Sequence, residues 1–95
     1  MNITYASSAC DLIKLFSPTV AQTEGIRVSL SKNEASVFIR FCNHTMSAEM
    51  RDGRYSYYIA PDSQDVAGYL TFADFGEMKE AIRAEAEAII EGAEQ

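Results

Sequence analysis

The sequence has no tryptophan, a single histidine, two cysteines and two prolines. Two cysteines, Cys10 and Cys42, are too few for a disulfide framework, so the fold is expected to rest on its core, with two free and mostly buried thiols in a reducing cytosol. One histidine with two cysteines falls short of the roughly four ligands of a structural zinc site. The glycines Gly25, Gly53, Gly68, Gly76 and Gly92 are too scattered for a phosphate-cradling loop. No run of about 18 apolar residues is present, and the segment MNITYASSACDLIKLF has no basic residue ahead of its apolar part. A cytoplasmic protein is therefore expected. Basic residues are scarce in the last third: residues 1–60 hold six basic and five acidic residues, whereas residues 61–95 hold two basic and nine acidic. An acidic surface repels phosphate, which argues against direct nucleic-acid binding there and favours a basic protein partner.

What is present is enough for one domain. At 95 residues and 47% hydrophobic content, the chain is long enough to bury about 60 to 70% of the surface its unfolded form exposes. The clearest element is a C-terminal helix from Asp74 to about Glu91. Asp74 stands at the N-cap position and Glu77 three residues on completes a capping box. At about 100° per residue, Phe75, Met78, Ile82, Ala86, Ile89 and Ile90 share one side, wide enough to dock on a sheet. Glu77, Glu80, Glu87, Glu91 and Glu94 share another, with only Arg83 placed to offset Glu80 or Glu87.

Earlier in the chain, Ile3 and Tyr5 alternate with polar residues as a short strand over Asn2 to Ala6 would. Ser8 then caps a short helix, with Asp11 at its third position and Leu12, Ile13, Leu15 and Phe16 on its apolar side, until Ser17-Pro18 ends it. A turn or loop spans Thr19 to Gly25. From Ile26 the period is two: Ile26, Val28 and Leu30, then Val37, Ile39 and Phe41, then Met46, Ala48 and Met50 form inward rows. Ser31 to Glu34 make one turn, and Asp52-Gly53 is a strong hairpin signal. Arg54 to Ala60 returns as a strand, Pro61 to Val66 forms an acidic loop, and Gly68 to Phe72 adds a last strand. The pattern predicts an α+β domain, an antiparallel sheet of four to five strands with both helices on one face. The other face would carry Phe38, Arg40, Ser47, Glu49, Ser56, Tyr58 and either Tyr69 or Leu70, and tyrosine beside arginine is a composition common at interfaces.

Chemistry is thinly represented. Cys42 and His44 offer a thiol and an imidazole on one side of an extended segment, but about 6 to 7 Å apart at the backbone, whereas a nucleophile and its base need their side chains to meet. Asp62 and Asp65 in the loop could serve as an acid–base pair, but an exposed acidic loop is the far commoner explanation. No set of residues meets the geometric roles of an active site, so a binding protein without cofactor or metal is expected.

Two resemblances sharpen that expectation. In size, acidity, single-domain organisation and lack of a catalytic motif, the chain resembles the small phage proteins that block bacterial defence, anti-CRISPR proteins in particular. That resemblance implies a non-enzymatic inhibitor, monomeric or homodimeric, acting in the host cytoplasm as a nucleic-acid mimic on the basic surface of a defence complex. The partner-binding residues it implies are Asp62, Asp65, Glu77, Glu80, Glu87 and Glu91, with Tyr58 and Arg40 of the open sheet face as the competing set. Locally, Arg54 to Ile90, with Tyr57-Tyr58, Pro61-Asp62, Gly68, Phe72 and Glu77-Met78-Lys79-Glu80-Ala81-Ile82, is similar to the strand, loop, strand and helix of HicB-type antitoxins. Those chains begin directly with the sheet, whereas here a helix precedes it. An antitoxin is the second expectation, and a small enzyme using Cys42 and His44 the third.

Overall fold

A computed structural model describes residues 3–16, 23–62 and 68–93. Helix α1 (Ile3–Leu15) is followed by strands β1 (Thr23–Leu30), β2 (Glu34–Phe41), β3 (His44–Arg51), β4 (Arg54–Pro61) and β5 (Leu70–Phe72), and then by helix α2 (Phe75–Ala93). The strands lie in one sheet in chain order and every neighbouring pair is antiparallel. This is the expected α+β architecture.

Short turns produce the meander. Asp52 and Gly53 both have positive φ, 52° and 73°, the twist that a two-residue hairpin requires. Cys42 and Asn43, with φ of 49° and 61°, make the same kind of turn between β2 and β3. Asn43 tolerates the left-handed region well, and Cys42 accepts it at some cost in strain.

The N-terminal reading needs correction. Ile3 to Ala6 are helical, and Ser8 is a buried residue within α1 instead of its cap. Tyr5, Ala9, Leu12 and Phe16 recur at helical spacing and are all buried, so a core-facing stripe of period 3.6 overrides a two-residue alternation too short to specify a strand. The Tyr5 hydroxyl also accepts a hydrogen bond from the Gly53 backbone N–H at 2.9 Å, tying the start of α1 to the β3–β4 turn. The Phe16 N–H donates to the Ile13 carbonyl, closing the last turn of α1. Cys10, expected to be buried, is exposed. The proposed stop at Ser17-Pro18 lies outside the described residues, as do Asp65 and Glu94.

The core is a layer between the two helices and the inward rows of the central strands. Val37, Ile39, Met46, Ala48 and Met50 have no exposed surface. Helix α1 packs mainly on β2, and α2 on β4 and β5. Asp74 accepts the Glu77 backbone N–H at 3.1 Å, as the cap signal required. Met78, Ile82 and Ala86 point at the sheet and are buried, while Phe75, Ile89 and Ile90 flank them half-buried. The inward row of β1 behaves differently: Ile26, Val28 and Leu30 are 43%, 41% and 54% exposed. They occupy the core-facing side of the sheet, register with Ile39, Val37 and Ala35, and are left uncovered at its edge.

Because Ile82 has no exposed surface at the centre of the α2 stripe, Ile82→Ala should lower the unfolding free energy by about 2 to 5 kcal/mol, read from urea denaturation. A loss under about 0.5 kcal/mol is what an exposed position shows and would contradict the docking of α2.

Candidate functional site

The α2 carboxylates and the open face of the sheet lie on opposite sides of the domain, and Asp62, named with the former, sits with the latter. Helix α2 buries one stripe, so its others face solvent, and Glu77, Glu80, Glu87 and Glu91 are all exposed. They are not equivalent. Arg83 lies between two of them: its Nη2 and Nε donate to the Glu80 carboxylate at 2.6 and 3.1 Å, and its Nη1 donates to Glu87 at 2.9 Å. Spacings of three and four residues on a helix permit this double engagement. The adjacent guanidinium holds the Glu80 carboxyl below its usual range, and the two carboxylates raise Arg83 in turn. Glu77 and Glu91 form no ion pair among the described residues. A fifth carboxylate, Glu85, is turned toward the sheet, where it accepts a hydrogen bond from the Tyr57 hydroxyl. Burial of Tyr57, reinforced by that bond and by the charge of Glu85, raises the phenol above its ordinary value.

Beside this face runs a groove of about 530 Å³ between the two helices, which sequence reasoning did not find. Leu15, Ala86 and Ile90 provide its apolar part, and Lys14, Arg83, Glu87 and Glu91 its charged part. The signal was present in the helical spacing: Ala86 and Ile90 lie one turn apart, and Ala86 is small enough to leave room above it. What sequence alone withheld was the placement of α1 alongside.

On the open face of the sheet, the register aligns Arg27, Phe38, Ser47 and Tyr58 across four strands. Tyr58 faces outward and is half-buried, packed edge-to-face on Tyr69 with ring centroids 5.0 Å apart. Of the two residues offered for the outward position, Tyr69 takes it, since its hydroxyl lies 3.5 Å from both Ser47 Oγ and a Glu49 carboxylate oxygen. Leu70 pairs with Tyr57 on the other face. Hydroxyls fill much of the remaining surface, with Ser56 and Thr71 bonded at 3.1 Å. Arg40 and Asp62, assigned to competing binding surfaces, are joined to each other at 2.6 Å. Asp62 also accepts from Thr45 at 3.5 Å. Each therefore spends its charge within the chain, which weakens both as partner contacts.

Cys42 and His44 come together through the backbone. His44 Nδ1 lies 2.8 Å from the Cys42 carbonyl oxygen, to which only a protonated ring nitrogen can donate. In the neutral ring this contact places the proton on Nδ1 and leaves Nε2 as the acceptor. These residues, with Pro61, Asp62 and Ile89, line a shallow depression at one end of α2. Among the described residues, no group of three or more histidine, cysteine, aspartate and glutamate side chains is close enough to hold a metal ion, and no helix is long and apolar enough to cross a membrane.

Comparison with protein-family models, curated proteins and solved structures finds no match. Function must accordingly be argued from these surfaces.

The Arg83 bridge makes a specific prediction. In Arg83→Ala, the Glu80 side-chain resonance followed by NMR should titrate at higher pH than in the wild type, back in the ordinary glutamate range. Because the folded-state value of Glu80 is the depressed one, the pair contributes stability above the ordinary glutamate range and loses it as pH falls through the lowered value. The pair is exposed, so this contribution is small. An unchanged Glu80 titration would show that the bridge is not populated in solution.

Proposed function

We propose that this chain is a non-enzymatic protein-binding inhibitor whose acidic α2 face docks on the basic, nucleic-acid-binding surface of a bacterial defence complex. The observation that carries this reading is the one-sided array on α2. Four carboxylates, Glu77, Glu80, Glu87 and Glu91, are exposed along a helix whose opposite stripe is locked to the sheet, and among the described residues Arg83 is the one cation that forms an ion pair with any of them. Rows of carboxylates on a rigid helix present negative charge at fixed intervals, much as a phosphate backbone does. The adjoining groove adds an apolar patch bordered by charge, the arrangement of a protein interface with a desolvated centre and a polar rim. Its centre would supply affinity, while the carboxylates would set approach and orientation.

The bridge redirects the choice of test residues. Reversing Glu80 would remove two of the three hydrogen bonds that Arg83 donates, whereas reversing Glu87 removes one and leaves Arg83 its pairing with Glu80. Glu87 and Glu91 are better sites, because they border the groove and lysine near a helix C-terminus is favoured by the helix dipole. Glu87→Lys with Glu91→Lys should fold like the wild type by circular dichroism and melt within a few degrees of it.

Wild type and double variant are then used as paired baits in host lysate, with bound proteins identified by mass spectrometry. The expected result is a nucleic-acid-binding protein retained by the wild type, released at a few hundred millimolar salt through screening, and lost from the double variant. Tyr58→Ala should retain it. Retention by the double variant with loss from Tyr58→Ala would overturn the acidic-face reading and place binding on the open sheet.

A further inference from the structure

The uncovered row on β1 coincides with a second feature of the same three residues. Ser31 N–H donates to the Glu34 carbonyl at 2.9 Å, which sets the phase of the β1–β2 ladder. In an antiparallel pair, alternate residues turn their N–H and C=O toward the neighbour and the others turn them away. Counting back from Ser31, residues Ser29, Arg27 and Gly25 face β2, so Ile26, Val28 and Leu30 direct their backbone groups to the free edge. Strand β1 is terminal in the sheet order. The side chains of these residues are 43%, 41% and 54% exposed on the helix-bearing side. Among the described residues, amides without a strand partner and uncovered apolar side chains are thus carried by the same three residues.

We infer that β1 is a self-association edge, and that its occupant is β1 of a second copy of this chain, antiparallel about a two-fold axis through Val28. The spacing selects this occupant. With Val28 opposite its own symmetry mate, Ile26 falls opposite Leu30 of the second copy and Leu30 opposite Ile26, so every apolar residue meets an apolar one. Each of the three pairs is in hydrogen-bonding phase and exchanges two backbone bonds. A register centred on Arg27 would set like charges directly opposite each other, and one centred on Ser29 would set Ile26 against Lys32. In the Val28 register Arg27 meets Ser29, so no like charges are directly opposed. The contact is isologous and closes as a dimer, joining two five-stranded sheets into a single continuous one and removing a long exposed edge.

The acidic α2 helices play no part in the contact, because α2 packs on β4 and β5 at the far side of the sheet. Net charge of −6 per chain opposes association only at long range and is screened by salt. One strand edge with three half-exposed side chains offers less than the roughly 800 Å² per partner of a standard stable interface, so the dimer forms at about micromolar concentration or above.

Sedimentation equilibrium of the wild-type chain from about 1 μM to 1 mM should show the mass rising from monomer toward dimer. Val28→Lys sets two lysines against each other on the axis and should weaken the dimer about tenfold or more, whereas Ser36→Lys, on the other face of the sheet and one strand in from the edge beside Glu49, should leave it unchanged. The complementary measurement does not depend on disruption. Paired residues in hydrogen-bonding phase have Cα atoms about 5.5 Å apart, within disulfide reach, so Val28→Cys should yield a covalent dimer on oxidation that the wild type and Ser29→Cys, which hold the same native cysteines, do not. A wild-type chain that stays monomeric up to 1 mM would overturn the inference. So would a Val28→Lys dimer as tight as the wild type, or a Val28→Cys chain that crosslinks no more than Ser29→Cys. If Val28→Lys fails to fold, the crosslinking result decides alone.

Discussion

The packing of two helices on one face of a five-stranded sheet is the constraint from which the other features follow. A helix with its side chains is about 10 Å across, and strands are spaced by about 4.8 Å. Two adjacent helices therefore cover about four strands. The central rows are sealed to complete burial by Leu12 and Phe16 from α1 and by Met78 and Ile82 from α2. The deficit appears at the margins, where Leu70 on β5 is 57% exposed and the row Ile26, Val28, Leu30 is uncovered on β1. The two margins are managed differently. Strand β5 has three residues, a length that offers little edge to another chain, whereas β1 has eight.

The same docking sorts the charge. Once Met78, Ile82 and Ala86 face the sheet, helical geometry leaves Glu77, Glu80, Glu87 and Glu91 no inward option. The arginines of the strands lie across the domain: Arg27 and Arg40 sit on the open face and Arg51 and Arg54 at its β3–β4 end. Internal pairing then trims both sets. Arg83 takes up part of the charge of Glu80 and Glu87, and Arg40 pairs with Asp62. What remains outward is a helix with a net negative face beside an apolar groove, and an open sheet rich in hydroxyls with one tyrosine pair. Of these, the helix has unspent charge and a desolvatable centre together.

Much of the fold was legible because local and tertiary signals agreed. Asp74 with Glu77 set the phase of α2, Asp52-Gly53 set one hairpin, and alternation in β2 and β3 named the buried residues. Reading failed where two patterns overlapped within a few residues: Ile3 and Tyr5 alternate as a strand would, but Tyr5 belongs to a stripe with Ala9, Leu12 and Phe16. The Cys42-Asn43 turn was missed because cysteine rarely adopts positive φ. The surfaces were read less well than the core. A sequence shows that carboxylates share a helical stripe, but whether Arg40 meets Asp62, or whether α1 lies close enough to α2 to form a groove, depends on contacts between distant segments. The exposure of Ile26, Val28 and Leu30 was hidden for the same reason, since their spacing is that of any core strand and only the extent of the helical layer leaves them bare.

The central claim is that α2 and its groove form the partner-binding surface. The most direct measurement is amide NMR on isotope-labelled protein titrated with the partner recovered from lysate. The account predicts that perturbed resonances cluster at Glu77 to Glu91 and at Lys14 and Leu15 across the groove, while Phe38, Ser47 and Tyr58 are unmoved. Perturbations concentrated at Phe38, Tyr58 and Tyr69, with α2 unaffected, would contradict it.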